Sequence, residues 1–253
     1  MIFTPFSFIK SGVAPFSWTP ADLPGLEYWW ESSFGVTQSL GDTEFWDSKV
    51  GGVTLLRYAI PGLQYIASEP LAGGKPALYQ NGSYNALQRQ ITPSAWASSD
   101  DWSVITIGVA QTTGTTGYKF SGGCVSTAGA GAELAHWTAD PSNADKFGKY
   151  SYPSGGSRSS GVTVTNNLLY WHSLEYDMAA GTIRQYVNSP TSANDTQTGL
   201  ATSANRGTVK FEVGGYTNSL KWKGYTMEYI FLSEILSDAD RTNLDTYVTN
   251  TYS

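Results

Sequence analysis

The run Val209-Lys210-Phe211-Glu212-Val213 alternates apolar and polar residues without a break, the period of a strand with one covered face. Residues 26–30, 102–110, 168–177, 182–188 and 225–232 have the same strand character, rich in β-branched and aromatic side chains. Gly/Ser/Thr/Asn-rich loops at 111–117, 139–146, 154–161 and 189–207 separate them. No helical pattern stands between one strand and the next, which excludes the βα units of parallel α/β folds. One helix is expected, at the end. Ser237 reads as its N-cap, Asp238 and Asp240 occupy the first turn, and Leu244, Tyr247 and Val248 form an apolar stripe. The pattern predicts an all-β protein, an antiparallel β-sandwich (jelly roll) with one C-terminal helix closing an edge or end of it.

Composition narrows the function. Charged residues make up 14% and aromatics 14% of 253 residues, so the chain folds rather than staying disordered. Lys+Arg 15 against Asp+Glu 21 gives a net charge of −6, without the basic footprint of a nucleic-acid binder. Cys124 stands alone, so no intrachain disulfide forms, and with only His136 and His172 beside it a structural zinc site is not expected. No run reaches the roughly 18 apolar residues of a membrane span, and the N-terminus lacks the basic start of a signal peptide. Residues 1–17 carry Phe3, Phe6, Phe8 and Phe16 between Pro5 and Pro15. That segment is too apolar for a free tail and too broken for a helix. It is either packed on its own domain or an arm docked on a neighbouring subunit. The expected division is an arm at 1–17 and a sandwich domain at 18–253.

Several motifs stand in a telling order. Trp18-Thr19-Pro20-Ala21-Asp22-Leu23 leads into Leu26-Glu27-Tyr28-Trp29-Trp30, followed by Phe45-Trp46-Asp47-Ser48-Lys49. Gly73-Gly74-Lys75-Pro76-Ala77-Leu78 comes next. Gly224-Tyr225-Thr226-Met227-Glu228-Tyr229 and Leu236-Ser237-Asp238-Ala239-Asp240-Arg241 close the chain. Over 18–252 this resembles the laminin-G-like, concanavalin A-like jelly-roll domains of bacterial surface proteins and phage virion proteins. The resemblance implies a concanavalin A-like sandwich. It further implies a non-enzymatic virion structural protein (capsid decoration, head fibre or tail-associated), assembled in the host cytoplasm. Its partners would be other virion proteins reached through the arm, further copies of the chain, and host-surface glycans. A free-standing carbohydrate-binding module and a glycan hydrolase are the alternatives.

The same fold hosts glucanases whose strand motif E-x-D-x-x-E sets carboxylates on one cleft wall. Here Glu175 and Asp177 match, but Ala180 stands in the third position, so the pair reads as one polar strand face and no catalytic residue is expected. Sugar binding needs aromatic faces beside polar groups. Trp96, Asp101, Tyr118, Trp137, Tyr150 and Tyr152 are the candidates, close to polar loops. Trp29, Trp30, Trp46 and Trp171 are assigned to the core, and His136 and His172 read as ordinary strand histidines. No cofactor is expected, with calcium left open at the oxygen-rich set Asp140, Asn143 and Asp145.

Overall fold

The computed structural model describes residues 16–83, 86–91, 101–111, 120–126, 133–137, 146–152, 156–200, 209–215 and 223–253. The first strands are β1 (Leu26–Glu31), β2 (Val36–Ser39), β3 (Asp42–Asp47), β4 (Thr54–Arg57), β5 (Gln64–Glu69), β6 (Lys75–Asn81) and β7 (Leu87–Ile91). The middle of the chain gives β8 (Trp102–Ala110), β9 (Phe120–Ser126), β10 (Glu133–Trp137), β11 (Lys146–Tyr152) and β12 (Gly156–Thr163). Then follow β13 (Leu168–Asp177), β14 (Thr182–Val187), β15 (Asp195–Gln197), β16 (Val209–Val213), β17 (Lys223–Leu232) and the helix α1 (Asp238–Tyr252).

Pairing among these strands is antiparallel and falls into two layers. The first runs β5-β6-β17-β8-β13-β14-β15, with β1 beside the far end of β17, past the stretch that β6 occupies. The second runs β2-β3-β4-β7-β16-β9-β10-β11-β12. A bridge between Asp42 and Gln64 joins the layers at one corner. Side chains from both layers meet in the main core. Val104, Leu174, Tyr176 and Phe231 come from the first, Trp46, Leu55, Leu87 and Phe211 from the second. This is a β-sandwich jelly roll.

The two layers differ on their outward sides. Strand β8 is buried along its whole length, because both of its faces are covered. Val104 enters the inter-layer core, while Ile105, Ile107 and Val109 face the other way, where α1 lies over them with Leu244, Tyr247, Val248 and Tyr252. The helix starts where the sequence places it. Ser237 Oγ accepts the N–H of Asp240, and the Asp240 carboxylate accepts the N–H of Ser237, a reciprocal cap that satisfies two orphan donors. The sequence led us to expect a helix closing an edge or end of the sandwich; it covers a face instead. An apolar stripe reports that one side of a helix is buried, without saying against what.

Two loop assignments are corrected. Residues 156–161 of the expected loop 154–161 belong to β12, and β15 lies inside the expected loop 189–207. Among the described residues both strands pair on one side only, at the margins of their layers, where Gly/Ser-rich or polar sequence is tolerated. Trp29, Trp30, Trp46 and Trp171 are all buried, as expected. Residues 1–15 of the expected arm lie outside the described residues. Phe16 is partly exposed, its ring 6.5 Å from Trp18, whose own ring sits 6.0 Å from Tyr247 of α1.

Candidate functional site

The helix-covered layer holds two buried polar clusters. Glu175 sits on the α1 side of β13, and Arg241 Nη1 donates to both of its oxygens, at 3.0 and 2.8 Å. The same guanidinium bonds the Leu236 and Pro190 carbonyls and the Asp238 carboxylate, and lies 4.1 Å over the Tyr186 ring. Glu175 is therefore not part of an open polar strand face. It is the anchor that bolts α1 to the sheet, while Asp177 stays nearer solvent with Arg184 at 3.7 Å.

Glu228 on β17 is the second anchor. It is fully buried and accepts bonds from Trp29 Nε1 at 2.7 Å, Tyr247 Oη at 2.8 Å and Tyr252 Oη at 2.5 Å. Burial pushes its carboxyl up to about 7 against the pull of these donors, and the Glu31 carboxylate adds to the rise. The Tyr247 and Tyr252 hydroxyls are raised by burial and by Glu228 in turn. Inside the sandwich, burial lowers His172 to about 3, so it stays neutral. These groups hold the fold together, and all of them are closed to a ligand.

Among the described residues, no helix lies over the outward side of the second layer. On β4, Leu55 fills the core and Leu56 alternates away from it; on β7, Leu87 points in and Gln88 out; on β16, Phe211 and Val213 point in and Lys210 out. Pairing sets Leu56 opposite Gln88, and Gln90 opposite Lys210. The N–H of Tyr58 bonds the Ala86 carbonyl, which brings this half-exposed ring beside β7. A cavity of about 320 Å³ opens here, lined by Leu56, Tyr58, Gln88, Gln90 and Lys210, with Arg57 and Arg89 completing the wall. That volume lies at the small end of the roughly 300–1,000 Å³ of ligand clefts. Arg57 is held 3.6 Å from Asp42, and Lys210 lies 2.8 Å from the fully buried Glu212. Arg89 is exposed and makes no ion pair among the described residues.

Sequence reading missed this site. Its residues lie on strands far apart in the chain, and only β16 was foreseen. Of the sugar-binding candidates, Trp96 and Tyr118 lie outside the described residues, as do the calcium candidates Asp140, Asn143 and Asp145. Trp137 on β10 pairs with Gly148 on β11, while Tyr150 and Tyr152 pair with Ala135 and Glu133. These three positions therefore lie on neighbouring strands of the layer that carries the cavity. Asp101 lies apart from them, its Oδ1 accepting the N–H of Met178 at 2.8 Å in the other layer.

Neither the family models nor the curated proteins compared with the chain give a match. Solved structures do. An arabinofuranosidase complexed with arabinofuranosyl-alpha-1,2-xylobiose superposes with a TM-score of 0.63 at 11% identity, over 91% of this chain and 60% of that one. The Trypanosoma rangeli sialidase in complex with sialic acid gives 0.58 at 11% identity, over 87% of this chain and 32% of its own. Domain 4 of an extracellular arabinanase from Geobacillus stearothermophilus, in complex with arabinotriose, gives 0.51 at 12%, over 72% and 81%. The likeness is one of fold, and the chain spans less than two thirds of the first protein and about a third of the second. The likeness bears out the β-sandwich jelly roll. The expected exclusion of enzymatic activity does not stand, because the same sandwich occurs within an arabinofuranosidase and a sialidase. None of these three is a virion protein by name, and the phage setting gains no support from them. Among the described residues, no helix is long and apolar enough to cross a membrane.

Proposed function

We propose that the chain is a glycan-binding β-sandwich domain whose ligand occupies the cavity between β4, β7 and β16. The carrying observation is the half-exposed Tyr58 ring beside the Gln88 and Gln90 amides on the second layer. A sugar ring stacks its C–H face on an aromatic side chain while amides fix its hydroxyls. Each of the three structural neighbours was solved with a saccharide, which supports the same reading. Affinity electrophoresis through gels containing neutral or acidic polysaccharides tests it. At least one polysaccharide should retard the protein, and Tyr58→Ala should relieve the retardation with the melting temperature unchanged. Free migration through every gel refutes the proposal. Reducing ends released in the same incubations would show that the bound glycan is also cut.

The finer setting, a phage particle to which residues 1–17 attach the sandwich, rests on the sequence resemblance. Removing residues 1–17 tests the arm by light scattering. Loss of self-association supports it, and unchanged association overturns it.

A further inference from the structure

The outward face of the second layer holds more than the cavity. On β3, Trp46 enters the core opposite Leu55, so Phe45 turns outward opposite Leu56. Leu56 in turn stands opposite Gln88. Phe45, Leu56 and Gln88 therefore form one row across three strands, and the last two line the cavity. Tyr58 lies two residues beyond Leu56 and stays in step with β7, its N–H bonded to the Ala86 carbonyl at 3.1 Å. It is thus the diagonal neighbour of Phe45, at a spacing of about 7–8 Å in an antiparallel pair.

Both rings are open. Phe45 is 37% exposed and Tyr58 54%, and neither stacks on another aromatic side chain among the described residues. Polar groups frame them. Gln88 and Gln90 stand on the cavity side, and beside Phe45 the exposed Asp47 carboxylate accepts the Thr54 hydroxyl across the β3–β4 pair. Amides and a carboxylate suit sugar hydroxyls, and a flat ring suits the C–H face of a sugar. One sugar over Tyr58 leaves the Phe45 ring in water; covering both rings takes a chain of sugars.

We infer that the site runs beyond the cavity onto Phe45, and that its ligand is a linear glycan with separate sugar rings over Tyr58 and Phe45. The inference rests on the glycan-binding reading above. It adds chain length as the property selected and Phe45 as the residue that selects it.

The test is affinity electrophoresis of the full chain in arabinan, xylan, β-glucan and polygalacturonate gels, with competing oligosaccharides of one to six units prepared from each polymer. Phe45→Ala, Phe45→Leu and Phe45→Tyr are run alongside. Melting curves establish that the variants are folded, and Phe45→Leu keeps apolar bulk while removing the flat ring. At least one gel should retard the wild type, and competition should strengthen roughly 10-fold or more between one unit and six. Phe45→Ala and Phe45→Leu should each weaken binding to the polymer roughly 10-fold and leave inhibition by the single sugar unchanged, while Phe45→Tyr should bind as the wild type does. Equal competition by one unit and by six, or retardation indifferent to Phe45→Ala and Phe45→Leu, overturns the inference and leaves glycan binding at the cavity standing. Free migration through every gel removes both.

Discussion

Replacing Glu228 by Gln should flatten the pH dependence of stability. The carboxyl is fully buried among Trp29, Tyr247 and Tyr252, and burial lifts it from 4.5 to about 7. Holding it back from ionising over that interval corresponds to about 3 kcal/mol. Between pH 4.5 and 7 the folded chain keeps a proton that the unfolded chain releases. The stabilisation is therefore fully present below pH 4.5 and is lost as pH rises through about 7. Glu228→Gln is neutral throughout and lacks this slope. Its single acceptor oxygen cannot serve donors at both carboxylate positions, which adds a fixed penalty of about 1–3 kcal/mol. The readout is thus the change with pH of the difference between the two proteins. His172, lowered to about 3 by burial, adds an opposite slope below pH 6.5, but it is common to both and cancels. Urea unfolding followed by tryptophan fluorescence at pH 4, 6 and 8 measures the difference. Relative to its variant, the wild type should lose about 3 kcal/mol across the series, or roughly 6–12 °C in melting temperature. Curves that stay parallel within about 0.5 kcal/mol would refute the reasoning, since Glu228 would then titrate alike in both states.

Other changes probe the remaining supports. Arg241→Ala strands the Glu175 carboxylate under α1 and should cost about 3–5 kcal/mol in urea unfolding, whereas Glu175→Leu combined with Arg241→Met should cost less than that single change. Gly181→Ala puts a side chain at φ +57, with its Cβ 2.5 Å from the Leu200 carbonyl, so melting should show a loss of at least about 1 kcal/mol. Leu244→Ala opens a cavity between α1 and the sheet and should cost about 2–5 kcal/mol by the same measurement.

The long strands were legible because burial writes itself into sequence. β13 spans the expected residues 168–177, and β8 and the N-cap of α1 also stand where the pattern puts them. Strands β3, β5 and β6 were not legible, since Asp42–Asp47 and Gln64–Glu69 are short and partly exposed and carry weak alternation. β12 is GSRSSGVT, whose own preference is for a loop, and it becomes a strand through pairing with β11. The E-x-D pair at 175 and 177 was read as one polar strand face, and the burial of Glu175 was not legible because it depends on Arg241, more than sixty residues away along the chain. The cavity was invisible for the same reason. Leu56, Gln88, Gln90 and Lys210 form no local motif, and only the strand pairing brings them together.

The helix gives the sandwich a back and a front. Trp18 lies against α1 on the helix-covered side, with Phe16 beside it, and the cavity opens on the other layer across the core. A body mounted through the residues that precede Phe16 would thus hold the domain by its back, with the Tyr58 face turned toward the surroundings. Orientation would then come from where the chain enters the sandwich.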